Sequence, residues 1–238
     1  MPGLRLLSIL VACLAAGPGC SAIASREMNA DGVRLFEQSR YPEAIQQFER
    51  AIDANPSDAD GYYNLAAAYH RQGAFSGRTT ELAQAERYYN LCLDRNPEHR
   101  ECHRGLTVLL AQQGRTEEAF RRLQSWSDQN PASTDAKIEL ARLSEEYGDR
   151  AAARQYLAEA LQIDPNNKGA LNALGHLHEQ SGNYAQAMAD YQQSLAGDHF
   201  QQDVAARVAM LQSAAGPAPM GTDSEGTRIV ARDAGSFR

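Results

Sequence analysis

Cys92, His99, Cys102 and His103 crowd into residues 92–103. Two cysteines and two histidines are a donor set that zinc accepts, and a metal held there would be the one route to a metal-dependent enzyme. Their spacing, C-x6-H-x2-C-H, follows no regular zinc pattern, so no metal is expected. The two cysteines carry a second possibility. They flank Pro97 symmetrically, five residues either side, and in an oxidising compartment could close a disulfide. The competing reading makes them small packing residues on the two arms of a turn.

Other catalytic patterns stop short. The chain has no G-x-S-x-G, no phosphate-binding glycine loop and no H-E-x-x-H. His178-Glu179 begins the last of these, but Gly182 stands where the second histidine belongs. Asp164-x-Asn166 echoes a calcium loop until Lys168 replaces the next acid. No cofactor is expected. The formal net charge of −7 argues against a nucleic-acid partner or a basic patch on anionic lipid. The reading is of a noncatalytic protein without a small-molecule substrate.

What must position these residues is a repeat. The phrases AIDANPSD, CLDRNPEH, SDQNPAST and LQIDPNNK place prolines at 56, 97, 131 and 165, spaced by 41, 34 and 34 residues. Ending each unit two residues after its proline gives 25–58, 59–99, 100–133, 134–167 and 168–201. In the first, Ala44, Phe48, Ala51 and Ile52 form an i, i+4, i+7, i+8 stripe, the apolar face of a helix. Gly73, Gly114, Gly148 and Gly182 follow the first helix of their units, where a left-handed cap ends a helix. The prolines stop the second helix. Each unit is a helical hairpin that cannot bury its apolar face alone.

The second unit reads Tyr62, Leu65, Ala66, Tyr69, Ala85, Tyr89, Cys92 and Pro97; the fifth reads Leu171, Leu174, Gly175, His178, Ala187, Tyr191 and Ser194. This pattern resembles the tetratricopeptide repeat (TPR). The resemblance implies an all-α TPR solenoid, a right-handed superhelix of five helix-turn-helix repeats. His103 and Lys137 depart from the pattern, standing where large aromatics are usual, and Trp126, the one tryptophan, stands where a small residue is. We expect the indole to fill the space those residues leave. Seven extra residues in the second unit, Phe75 to Glu81, read as a lengthened turn, with a partner-binding finger led by Phe75 and Arg78 as the sharper alternative. Residues 202–213, striped by Val204, Val208 and Leu211, read as a capping helix, and 214–238 as a disordered tail.

The N-terminus resembles an export leader. Arg5 precedes the apolar run LLSILVACLAAG, too short to span a membrane comfortably. Two exits stay open. Cys20 resembles a bacterial lipoprotein junction, making 1–19 the signal peptide, Cys20 the lipidated first residue and 20–24 a tether. Cleavage after Ala24 would release a soluble protein instead. Leu10-Val11-Ala12-Cys13 also fits a lipobox, with an unusually short apolar stretch before it. Either exit places the chain in a bacterial cell envelope, as a membrane-anchored lipoprotein facing the periplasm or soluble there.

The resemblance further implies that first helices line a concave groove for a protein or peptide partner. Its lining would include Asn29 and Phe36, then Tyr63, His70 and Arg71, then Arg104, Arg142, Asn172 and His176. Some members grip a C-terminal carboxylate through Lys, Asn and Arg at set places. Asn64 fits one, but Gly105 and Glu101, or Asp135 and Glu139, stand where cations belong, so such a clamp is not expected. The function implied is an envelope scaffold of the kind that assists pilus or secretin assembly. The alternative is an adaptor for peptidoglycan enzymes or outer-membrane assembly.

Overall fold

The computed structural model describes residues 18–214, which form eleven α-helices, with no strand among the described residues. The chain divides into two compact units, one running to Pro165 and the other starting at Asn166. The first holds α1 (Pro18–Glu37), α2 (Tyr41–Ala54), α3 (Ala59–Ser76), α4 (Thr79–Arg95), α5 (Arg100–Gln112), α6 (Thr116–Gln129), α7 (Thr134–Glu146) and α8 (Arg150–Ile163). The second holds α9 (Lys168–Gln180), α10 (Tyr184–Gly197) and α11 (Gln202–Ala214).

The prolines do more than stop helices. The residue before each one, Asn55, Asn96, Asn130 or Asp164, is the C-cap of the second helix of a hairpin. The residue two places after it is the N-cap of the next helix. Asp58, His99, Ser133 and Asn167 each turn a side-chain acceptor onto a free backbone N–H of that helix. One four-residue phrase therefore closes one helix and opens the next.

In the first unit α1 packs on α2, α3 on α4, α5 on α6 and α7 on α8, and each hairpin stacks on its neighbour through α2–α3, α4–α5 and α6–α7. First helices also touch, α1 with α3, α3 with α5 and α5 with α7. The core runs unbroken from Tyr62 and Ala66 through Tyr89, Leu106, Leu110 and Leu123 to Leu140 and Leu143. Tyr89 lies so close to α5 that a Cβ on Gly105 would stand 2.4 Å from its ring. Only glycine admits that approach. In the second unit α10 packs against α9 and α11, and Val208 and Leu211 close over Ala187 and Tyr191.

Four expectations need correcting or refining. The insertion does not lengthen a turn: α3 has 18 residues against 13 in α5, and α4 has 17 against 14 in α6. The gain is shared between the two helices, roughly one turn each, so the hairpin grows taller at its turn end. The cap moves accordingly. Gly114, Gly148 and Gly182 have φ of 75°, 82° and 76°, but Gly73 is helical and buried against Leu82, and Gly77, with φ 68°, ends α3. At the N-terminus α1 begins at Pro18, so residues 20–24 are helical rather than a loose tether; proline suits a first turn, and Ala22, Ile23 and Ala24 include no breaker. Finally, Trp126 is 4 % exposed and stacks on His103, while Lys137 satisfies itself by pairing with Glu159 at 2.8 Å. The indole thus answers the histidine alone. The rest of the leader expected at 1–19, and of the tail expected at 214–238, lies outside the described residues.

Candidate partner-binding cavity

The first helices of the first unit enclose a hollow of about 540 Å³. From α1 it takes Val33, Phe36 and Glu37; from α3 Tyr63, Asn64, Ala67, His70, Arg71 and Ala74; from α5 Glu101, Arg104, Gly105, Val108 and Gln112. Phe48 and Tyr89 reach it from the second helices. Tyr63, Ala67, His70, Arg71 and Ala74 stand at i, i+4, i+7, i+8 and i+11, one face of α3. The lining combines apolar side chains, among them Val33, Phe36, Ala67 and Val108, with a few polar and charged ones, the usual make-up of a recognition site.

His70, on α3, is buried between Tyr89 of α4 and Gln112 of α5. Its Nε2 donates to Gln112 Oε1 at 2.8 Å, and its Nδ1 faces the Tyr89 hydroxyl at 3.4 Å. Burial lowers its pKa, so the ring is held neutral. Burial likewise raises the Tyr63 phenol. Tyr63 stacks on His99, centroids 5.5 Å apart. His99 Nε2 in turn donates to Asp60 at 2.9 Å while Nδ1 caps α5.

Five of the nine residues expected in a groove meet here: Phe36, Tyr63, His70, Arg71 and Arg104. Asn29 instead accepts a hydrogen bond from Asn64 at 2.9 Å. Arg142 is occupied by Glu139 at 2.9 Å and Glu146 at 3.1 Å. Asn172 and His176 belong to α9 in the second unit, where Asn172 donates to Gln201 at 2.7 Å.

Glu139 is the residue sequence reasoning undervalued. Its carboxylate is 0 % exposed and meets Arg100, Arg104 and Arg142. Burial alone would raise its pKa, but Arg104 and Arg142 hold it below the usual carboxylate range. Arg104 is therefore half cavity wall and half structural tie. An acid in a helix sequence looks solvated; the signal was a run of arginines on the same first-helix faces.

The four-residue Cys/His cluster does not assemble as a set. Cys92 and Cys102 are joined by a disulfide, Cα atoms 6.5 Å apart, with His99 beside them. His103 turns away, donating from Nε2 to the Pro97 carbonyl at 2.8 Å. Bonded sulfurs are not thiolates and cannot serve as metal ligands in this form.

Residues 32–73 match the TPR repeat family, and residues 144–214 match a second profile described as tetratricopeptide repeat. The chain is a TPR repeat protein. Over 48 residues it is 46% identical to Hsp70-Hsp90 organizing protein 1 of Glycine max, a stretch covering 20% of this chain and 8% of that one. Over 169 residues it is 29% identical to cellulose synthase 1 operon protein C of Komagataeibacter xylinus, covering 66% of this chain and 12% of that protein. The TPR chain thus matches a small part of either relative's length. Among solved structures, a thermophilic TPR protein from Thermus thermophilus aligns with TM-score 0.58 at 24% identity, over 80% of this chain and 100% of that one. PilF of Pseudomonas aeruginosa aligns with TM-score 0.51 at 19% identity, over 84% and 95%. Both likenesses concern the TPR fold alone.

Proposed function

We propose that this TPR protein is a noncatalytic scaffold of the bacterial cell envelope that holds a peptide or protein partner in the hollow of its first unit. The observation that carries the reading is the lining itself. Three successive first helices line one hollow with apolar side chains together with Tyr63, His70 and Arg71, and TPR proteins mediate protein–protein interaction. The leader-like residues 1–24 support export, with Cys20 as the lipid-anchored start, and the bacterial relatives named for cellulose synthase operons are in keeping with an envelope role. Assistance to a pilus, secretin or similar assembly is the task that fits such a scaffold.

Two measurements test this. A photocrosslinking residue at Ala74, on the cavity wall, captures a partner in cells, while one at exposed Arg121 on α6 does not; equal capture at both sites rejects the cavity. Mass spectrometry of the mature N-terminus finds a lipidated Cys20; an unmodified start at Ser25 rejects the anchor.

A further inference from the structure

The disulfide belongs to a donor set that its oxidised form conceals. Cys92 Sγ, Cys102 Sγ and a ring nitrogen of His99 all stand within 4.8 Å of one another, and all three residues are buried. Opened to two thiols, the pair offers two thiolate ligands beside an imidazole, a combination that Zn2+ accepts. The cysteine Cα atoms are 6.5 Å apart, at the wide end of the disulfide range. Two sulfurs on one tetrahedral zinc stand roughly 3.8 Å apart, a separation that side chains so placed reach by rotation about Cα–Cβ.

His99 is already held as a ligand would be. Its Nδ1 accepts the Cys102 backbone N–H at 3.3 Å, so that nitrogen keeps its lone pair and the ring proton sits on Nε2. Nε2 donates that proton's bond to Asp60 Oδ1 at 2.9 Å. A carboxylate behind the imidazole, fixing its tautomer and turning the other nitrogen to the site, is the outer shell that metal-binding histidines use. The bond from Cys102 is long, and little is lost when the lone pair turns to a metal. Glu101 Oε2 lies 3.4 Å from the same Nδ1. Carboxylate and lone pair are both acceptors, so a cation between them suits both, and Glu101 is placed to supply a fourth ligand. Cys102 also stands in the first turn of α5, whose positive end favours a thiolate. Tyr63 covers the imidazole, and Tyr89 and Leu106 share the core with both sulfurs.

We infer that the reduced chain binds one Zn2+ ion through Cys92 Sγ, Cys102 Sγ and His99 Nδ1, so that the Pro97 turn is closed by a disulfide when oxidised and by a metal when reduced. The site is separate from the partner cavity and does not depend on what occupies it. A small dithiol supplies the two electrons. One of its sulfurs attacks a cysteine Sγ and breaks the Sγ–Sγ bond; its second sulfur then frees that cysteine, leaving two protein thiols and a cyclic disulfide. Zn2+ displaces the two thiol protons to solvent. In reverse, a small disulfide takes two electrons from the thiolates, picks up two protons as it becomes two thiols, and the metal departs.

Both sulfurs are buried, so the full chain is reduced with a water-soluble phosphine in urea and refolded without oxygen in the presence of Zn2+. It should then keep one zinc per chain against a chromophoric chelator, while the oxidised chain keeps none. Co2+ in its place should show thiolate charge-transfer bands and the intense visible bands of a tetrahedral site. His99→Asn keeps a good N-cap and Asp60→Asn changes a side chain that is 75 % exposed. Each should weaken zinc binding about tenfold or more, with circular dichroism checking that the variants fold. If His99→Asn does not fold, Asp60→Asn decides alone. A reduced chain that regains no helical content or retains no zinc overturns the inference. So does an oxidised chain that retains as much, or an affinity unmoved by either substitution.

Discussion

The indole of Trp126 lies flat on the imidazole of His103, ring centroids 3.8 Å apart and planes within 7°. Its Nε1 also donates to Glu98 at 3.2 Å. One tryptophan on α6 therefore covers the histidine of α5 and reaches the turn that opens that helix. Trp126→Ala removes a large side chain from a continuous core and should cost about 3 kcal/mol or more. Trp126→Phe keeps most of the area and should cost about half as much. Urea unfolding measures both, and a loss below about 1 kcal/mol for the alanine variant would show the ring to be peripheral.

The same stack makes stability depend on pH. Burial lowers the pKa of His103 and of His70, the former despite its bond to the Pro97 carbonyl. In each case the folded state binds the proton less readily than the unfolded chain. Their contribution is thus complete above the unfolded value near about 6.5 and is lost as pH falls below it through the lowered folded values. Unfolding free energy should decline from pH 7.5 to pH 5, and His103→Gln should flatten part of that decline. A stability that rises over this interval contradicts the buried, neutral rings.

How much of this was legible follows from where each signal resides. Phe48, Tyr89 and Tyr191 recur in register with the prolines, so hairpins and core could be read from spacing alone. The cavity's α3 face was legible for the same reason: Tyr63, His70 and Arg71 sit at fixed places in a unit. The insertion was misread because Gly73 holds the usual cap position. Nothing nearby announces that its helix runs on to Ser76, where Gly77 takes the left-handed turn instead. Glu139 was undervalued because its partners Arg100 and Arg104 come from the preceding repeat, 39 and 35 residues away. Local pattern does not report such pairings.

Glu139 supplies a third prediction. Its carboxylate joins α5 to α7 through Arg100 and Arg104 and steadies Arg142 on its own helix. Glu139→Gln keeps the shape but removes the charge-assisted bonds, so about 2 kcal/mol should be lost. The arginines can turn to water, which limits the damage. The lowered carboxyl pKa has its own sign. The stabilisation is present above the unfolded value near about 4.3 and is lost as pH falls through the folded value beneath it. Wild type and Glu139→Gln should therefore converge in acid, and urea midpoints at pH 7 and pH 3.5 check this. A constant difference would mean that packing, and not charge, is what Glu139 supplies.

The Cys92–Cys102 disulfide allows the last test. It ties the end of α4 to the start of α5 across the Pro97 turn, with both sulfurs inside the core that also holds Tyr89 and Leu106. Because the cysteines are ten positions apart, the bridge closes a short loop, and its effect on the unfolded chain is about 2–3 kcal/mol. Reduction should lower the urea midpoint by a corresponding amount without changing the helical content, since the freed thiols stay where small apolar groups already pack. A Cys92→Ala, Cys102→Ala variant adds a small cavity loss and should be weaker still, and insensitive to reductant. If reductant leaves the wild-type midpoint unmoved, the turn is held by Pro97 and its caps alone, and the two cysteines serve only as small core residues.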